Sequence, residues 1–262
     1  MSIADGALRA LTPAQRQSYV DTGFIIVRGV FRPEEMAALD AEAISLWWRK
    51  DLIDTANIRC RWQDHIETGE CTFECFDPVI DLSPLIGRMA ADRRILDVLA
   101  DLYGEEACLF KDKLIFKPPG TKGYAMHQDY IAWETFPRSF ATLLMAIDPA
   151  DEANGATEVF PGYHKQGALM PEDGMYHEIP LEMIDLTRGV KLDLQPGDIA
   201  IFDGFTPHRS APNRTAGWRR QLYLSYNAMS DGGEQRAAHY DFFHGWLKDR
   251  YAEYGKLGTY FK

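Results

Sequence analysis

The chain has 262 residues, 46% of them hydrophobic, and a net charge of −11 at neutral pH. This is ample material for a packed core, and the acidity, with no basic cluster to offset it, argues against nucleic acid as a partner, since phosphate binding needs grouped Lys and Arg. No apolar run reaches the length of a membrane span, the first twenty residues carry no apolar signal core, and Cys60, Cys71, Cys75 and Cys108 read as reduced thiols. The expectation is a cytoplasmic protein with no membrane partner.

Thr12-Pro13-Ala14-Gln15 is a helix start, with Thr as N-cap and Gln at the capping-box position; Gly23 should end that helix. The apolar, β-branched run "FIIVRGVF" then reads as a strand, and Pro33-Glu34-Glu35 opens a second helix reaching about Lys50. Residues 51–80, with the polar-aromatic stretch "NIRCRWQDHIE", match no element pattern. Cys71 and Cys75 have a spacing compatible with zinc, but no second pair follows, so they read as incidental thiols. A helical region covers Ser83 to Tyr103 and closes at Gly104.

After Gly104 the texture changes to short strand-like runs: "CLFKDKLIF", "YAMHQDYIAW", "FATLLMAID", "ATEVF", "VKLDL", "DIAIFD" and "RRQLYLSYNAM". Pro118-Pro119-Gly120, Asn154-Gly155, Pro161-Gly162 and Pro196-Gly197 separate them as turn-formers, which predicts an antiparallel sandwich or barrel. The tail "HYDFFHGWLKDRYAEYG" returns to helical spacing. The expected organisation is one domain over 1–262: a mostly helical part at 1–104, a β core at 105–229 and a helical tail at 230–262.

The chain has no GxGxxG, no GxxxxGK[ST] and no GxSxG, and His177-Glu178 is not completed to HExxH. Metal chemistry remains. In "GYAMHQDYIAWE", strand alternation puts His127 and Asp129 on one face and Gln128 on the other. A single His-x-Asp pair is weak evidence; a third ligand changes its weight, because two histidines and one carboxylate on one face of Fe(II) leave positions open for cosubstrate and oxygen. His208, in the loop after "DIAIFD", sits where it could meet the end of the His127 strand. Further on, alternation groups Arg219, Gln221, Tyr223, Ser225 and Asn227 on one face. That face either lines a polar cavity, with Arg219 offering a fork to a carboxylate, or meets solvent, and alternation alone does not decide.

The segments "LIFKPPGTKGYAMHQDY", "NGATEVFPGYHKQG" and "PGDIAIFDGFTPHRSAPNRT", in that order, resemble the signatures of the phytanoyl-CoA dioxygenase family. The resemblance spans about Leu114 to Asn227, with a looser match at "YVDTGFIIVRGVF". It implies a double-stranded β-helix (a cupin-like jelly roll) flanked by helices, and an enzyme using Fe(II), 2-oxoglutarate and O2. On that resemblance His127, Asp129 and His208 are the iron ligands and the catalytic centre. Arg219 and Ser210 hold the distal carboxylate of 2-oxoglutarate. Asn154-Gly155, Pro161-Gly162 and His164 match structural turns. The activity implied is hydroxylation of a C–H bond of a small molecule, with release of succinate and CO2; desaturation, ring closure or epoxidation are the alternatives at the same site. Asp129 stands where halogenating relatives carry a small residue, which argues against halogenation. Two other readings are a metal-dependent isomerase or epimerase on a cupin-like jelly roll, needing no 2-oxoglutarate, and a non-catalytic binding protein on a β sandwich. For substrate contacts the sequence offers Tyr130, Trp133 and Phe136 as an aromatic wall, Lys113 and Lys117 beside the first core strand, and Arg61, Trp62 and His65 as a lid.

Overall fold

A computed structural model describes residues 7–256. The first six residues, part of the stretch read for a signal, and the last six of the expected tail lie outside the described residues.

Helix α1 (Pro13–Thr22) forms as its capping box dictates: the Thr12 hydroxyl accepts the Gln15 N–H at 3.2 Å, and the Gln15 side chain accepts the Thr12 N–H at 2.9 Å. Gly23 closes it at φ 81°, and the apolar run follows as β1 (Phe24–Val27). Helix α2 (Pro33–Trp47) comes next. The stretch that matches no pattern is a hairpin, β2 (Cys60–Asp64) and β3 (Cys71–Phe76), whose register shifts between Arg61 and Trp62. A bulge of that kind breaks the period-2 signal that marks a strand. The expected helical region over Ser83 to Tyr103 is two helices, α3 (Pro84–Ala90) and α4 (Arg93–Tyr103), because Asp92 accepts the Arg94 N–H at 2.9 Å and caps a new start.

The remaining strands are β4 (Ala107–Ile115), β5 (Tyr124–His127), β6 (Ala141–Ala146), β7 (Thr157–Val159), β8 (Val190–Lys191), β9 (Ile199–Asp203), β10 (His208–Ser210) and β11 (Gln221–Ala228), followed by helix α5 (Arg236–Tyr254). They form a seven-stranded sheet, β1-β9-β6-β11-β4-β3-β2, and a four-stranded sheet, β5-β10-β7-β8, with antiparallel pairing throughout. Among the described residues, positions 7–104 therefore supply three strands as well as four helices.

Alternation decides what each face of the large sheet does. Leu143, Ile201, Leu222 and Leu224 pack outward with Leu39, Leu46, Ile86 and Leu99 of the helices. Leu144, Ala200, Phe202 and Tyr223 point the other way and pack with Val159 of the small sheet and Leu192 just past β8. The core thus lies in two layers, and the interior between the sheets opens at one end. Among the described residues no helix is long and apolar enough to cross a membrane.

Candidate metal centre

Strands β5 and β10 pair with His127 directly opposite His208, their ring centroids 4.2 Å apart. This register brings together side chains 81 positions apart in the chain. Two details differ from the sequence expectation. His208 opens a strand rather than sitting in a loop. β5 ends at His127, so Asp129 reaches the same side from the following loop, where the Tyr130 N–H is bonded to the Gly204 carbonyl at 3.1 Å. Gln128 turns away as expected, its amide donating to the Gly167 and Phe205 carbonyls and accepting the Leu169 N–H.

The donor atoms converge. One Asp129 oxygen, Oδ1, is 3.8 Å from His127 Nε2 and 3.7 Å from His208 Nε2, and all three atoms lie within 4.8 Å of one another. Their other polar atoms are already bonded. His127 Nδ1 lies 2.7 Å from the Ala125 carbonyl and His208 Nδ1 3.1 Å from the Thr206 carbonyl, which requires the proton on Nδ1 and leaves the Nε2 lone pairs free. Asp129 Oδ2 accepts the Thr142 hydroxyl at 2.6 Å, leaving Oδ1. Burial and then the neighbouring His208 push His127 down to about 3, and burial lowers His208 as well. Burial alone would raise Asp129, but His208, Lys113 and the Thr142 hydroxyl outweigh it and bring the carboxyl down to about 2. The set is therefore two neutral imidazoles and one carboxylate, the protonation a divalent ion of intermediate softness needs.

These three groups stand at one side of a cavity that encloses about 890 Å³ with its open mouth included. Across it, on the inner face of the large sheet, are Tyr223 and Ser225 of β11 and Lys111 and Lys113 of β4, paired in register as Tyr223 with Lys113 and Ser225 with Lys111. Trp133, Phe136 and Phe243 supply an aromatic wall; Tyr130 instead packs on Phe205, their centroids 4.5 Å apart. The stretch read as a lid forms the sheet edge β2 and the turn after it: Trp62 packs against Phe73 in the outer core layer, and His65 Nδ1 accepts the Glu67 and Thr68 N–H groups.

Arg219 is 1% exposed, which removes the solvent-facing alternative. It stands behind Tyr223: its Nη1 donates to the Gln221 side-chain carbonyl and, at 3.4 Å, to the Tyr223 hydroxyl, while its Nε has no hydrogen-bond partner. No carboxylate among the described residues is in ion-pair contact with it. Ser210 faces the cavity, and its oxygen accepts the Lys117 ammonium at 3.0 Å and the Tyr124 N–H at 3.3 Å. Both acceptor positions are used, so its own proton is free to be donated. Lys117 is a fully buried positioning residue rather than a cavity group; it also donates to the Gly155 and Ala211 carbonyls at 3.0 and 2.6 Å, and burial and the charge of Arg219 push its ammonium well below the ordinary range. Gly155, at φ 72°, is required here, since a Cβ would lie 2.1 Å from the Ala211 carbonyl oxygen. His164 is a structural residue, its Nε2 3.2 Å from the Val20 carbonyl.

Over residues 19–221 the chain matches the phytanoyl-CoA dioxygenase (PhyH) family. The chain belongs to that family. It is similar to a methylphosphonate hydroxylase of Gimesia maris, 31% identical over 85% of this chain and 83% of the relative. It is also similar to a 2-aminoethylphosphonate dioxygenase of an uncultured bacterium, 29% identical over 84% of this chain and 83% of that one. Among solved structures it resembles EctD of S. alaskensis with bound Fe, at a TM-score of 0.71 and 22% identity over 87% of this chain and 81% of that one. The epimerase SnoN, in complex with Fe3+, alpha ketoglutarate and nogalamycin RO, superposes at 0.69 with 21% identity over 82% of each chain. These likenesses are to the jelly-roll fold. A member of the phytanoyl-CoA dioxygenase family is an Fe(II)- and 2-oxoglutarate-dependent dioxygenase, which sets aside an isomerase or epimerase that needs no 2-oxoglutarate and a non-catalytic binding protein.

Proposed function

We propose that His127, Asp129 and His208 are the iron ligands, that Arg219 and Ser210 hold the distal carboxylate of 2-oxoglutarate, and that the enzyme hydroxylates a C–H bond of a small molecule with release of succinate and CO2. The observation that carries this reading is the convergence of three donor atoms within 4.8 Å while every other polar atom of those side chains is already hydrogen-bonded. A polar pair at a strand end would have no reason to leave three lone pairs aimed at one point in a buried site.

When bound, Fe(II) supplies open coordination positions for the keto acid and for oxygen, and the oxidative decarboxylation of 2-oxoglutarate supplies the oxidising power. The chain's own residues do the rest. Thr142 holds Asp129 so that Oδ1 faces the two imidazoles. Arg219 is a buried cation lacking a carboxylate, a costly arrangement that a bound dicarboxylate relieves. Ser210, its oxygen fixed by Lys117, has a proton to give to the same carboxylate. The aromatic wall of Trp133, Phe136 and Phe243 excludes water from the reacting side. Two relatives near 30% identity act on phosphonates, so a small phosphonate is the first substrate to test.

Anaerobic addition of Fe(II) and 2-oxoglutarate to the metal-free protein tests the site. The expected result is a visible charge-transfer band that needs both additions, disappears in Asp129→Ala and requires more 2-oxoglutarate in Arg219→Ala. Folded, iron-loaded protein with no such band would overturn the assignment.

A further inference from the structure

The metal-binding side of the cavity leaves the large sheet's inner face unexplained. There Lys111 and Lys113 point inward from β4, two residues apart on one face of the strand. Lys111 has a partner, Asp77, at 3.1 Å. Asp77 is shared: Arg61 Nε lies 3.8 Å away, and the Tyr240 hydroxyl donates to it at 3.0 Å. Arg61 is only 6% exposed, and its Nε and Nη2 have no hydrogen-bond partner. Lys113 is half-buried, has Tyr223 beneath its ammonium at 5.1 Å from the ring centroid, and makes no ion pair with any described carboxylate. Arg61 and Lys111 thus share one carboxylate, while Lys113 is in ion-pair contact with none and feels the Asp129 and Asp77 charges only from beyond contact distance. Beside them His239 of α5, 5% exposed and lining the cavity, carries a buried Nε2 without a hydrogen-bond partner.

We propose that Lys113, flanked by Lys111 and His239, is the anion subsite that holds the acidic head group of the substrate, a small phosphonate-type oxyanion, across the cavity from the iron ligands. This rests on the oxygenase reading above. A half-buried ammonium with no ion-pair contact, a second that shares its carboxylate, and an unpaired imidazole nitrogen are costly to keep together without a ligand, and an oxyanion with several acceptor oxygens answers all three groups. The position also separates the two acids the enzyme must hold. Arg219 lies behind the Gln221–Ile115 end of the β11–β4 pairing, whereas Lys113 and Lys111 stand opposite Tyr223 and Ser225, one and two side-chain steps further along the same face. A substrate anchored there has its apolar part against Trp133, Phe136 and Phe243, with the metal-binding side chains on the other side of the space.

The same chemistry could serve a carboxylate of 2-oxoglutarate, and the test separates the two sources. Methylphosphonate, 2-aminoethylphosphonate and the uncharged dimethyl ester of methylphosphonate are titrated into metal-free protein and into anaerobic protein carrying Fe(II) and 2-oxoglutarate. Fluorescence of Trp133, in the cavity wall, reports substrate binding, and the visible band reports 2-oxoglutarate. The expected result is saturable binding of both phosphonates and none of the ester. Lys113→Met should lose tenfold or more in phosphonate affinity while its 2-oxoglutarate half-saturation stays within twofold, and Lys113→Arg should recover part of the loss. A tenfold weaker 2-oxoglutarate half-saturation in Lys113→Met with phosphonate binding intact would assign the lysine to the cosubstrate and overturn the proposal. So would a wild-type protein that forms the band yet binds neither phosphonate. Failure of the band itself would instead strike the iron-site reading, and the metal-free titration would still report on the anion subsite.

Discussion

The two walls of the cavity are built on opposite principles. On the small sheet, His127, Asp129 and His208 are saturated on every side but one: backbone carbonyls take the Nδ1 protons, Thr142 takes one carboxylate oxygen, and what remains is aimed at a common point. On the large sheet, Lys113, Arg61 and, deeper, Arg219 are left short of partners, as is the His239 Nε2. On the proposed reading the first wall is pre-organised for a small ion whose demands are geometric, and the second keeps unmet charge for an organic anion whose demands are electrostatic. A site that must bind a metal tightly and release an organic product benefits from this division, since orientation comes from saturated groups and affinity from unsatisfied ones.

The sharpest way to break the comparison is on the saturated wall. Asp129→Ala removes the carboxylate that both imidazoles face, and Fe(II) affinity should fall by more than about 100-fold, beyond the range seen for outer-sphere losses, with near-ultraviolet circular dichroism unchanged. An unchanged iron stoichiometry at micromolar metal would remove Asp129 from the ligand set. Next in size is the deep cation. Arg219→Ala should raise the 2-oxoglutarate half-saturation by about 10- to 100-fold, the worth of a charge-assisted pair, and Arg219→Lys should restore only part of it because the guanidinium fork is lost. If Arg219→Lys restored it fully, the arginine would act as a point charge and its position behind Tyr223 would be incidental.

The same division explains how much of the molecule is legible in its sequence. His127 and Asp129 are two apart, the turn motifs around them are local, and His208 follows a recognisable strand, so the three side chains that converge on the proposed metal-binding wall can be picked out from the chain alone. Its supporting hydroxyl cannot. Thr142 reaches Asp129 from the second position of β6, a strand whose hydrophobic run gives no reason to single out one threonine. The cation wall is even less visible. Lys113 stands out beside a core strand, but its role depends on the register that sets it against Tyr223, and His239 comes from a helix that packs on the cavity from the far end of the chain. Arg61 lies in a stretch whose bulge hides its strand character. β10 is three residues long, too short for alternation to announce it, which is why His208 reads as a loop residue.

A gentler perturbation sharpens the picture of the saturated wall. Thr142→Val keeps shape and removes the 2.6 Å hydrogen bond to Asp129 Oδ2. Iron affinity should fall by roughly tenfold, at the low end for such partners, with thermal stability little changed. Calorimetric titration with Fe(II) under anaerobic conditions measures it, and an affinity equal to wild type would mean that Asp129 is oriented by its loop alone.

The smallest effect concerns His239, the imidazole of the unsatisfied wall, whose protonation is shifted by folding. Burial, and then the nearby Lys111 charge, push it down to about 3, against an ordinary value near 6.5. Folding therefore disfavours its protonated form. Its contribution to stability is complete above about pH 6.5, where neither state is protonated, and drains away as pH falls toward 3, because the unfolded chain takes up a proton that the native state refuses. His127 and His208 are lowered in the same direction, so the metal-free protein should lose stability on acidification in any case. His239→Phe keeps an aromatic ring between Phe110 and Phe243, whose centroids lie 4.3 and 5.7 Å from the imidazole, and deletes one of these titrations. Urea midpoints measured from pH 7 down to pH 4.5 should fall less steeply in His239→Phe than in wild type. Parallel curves would mean that His239 accepts its proton in the native cavity, adding a further cation beside Lys111 and Lys113 instead of leaving a neutral ring to share a substrate's oxygens.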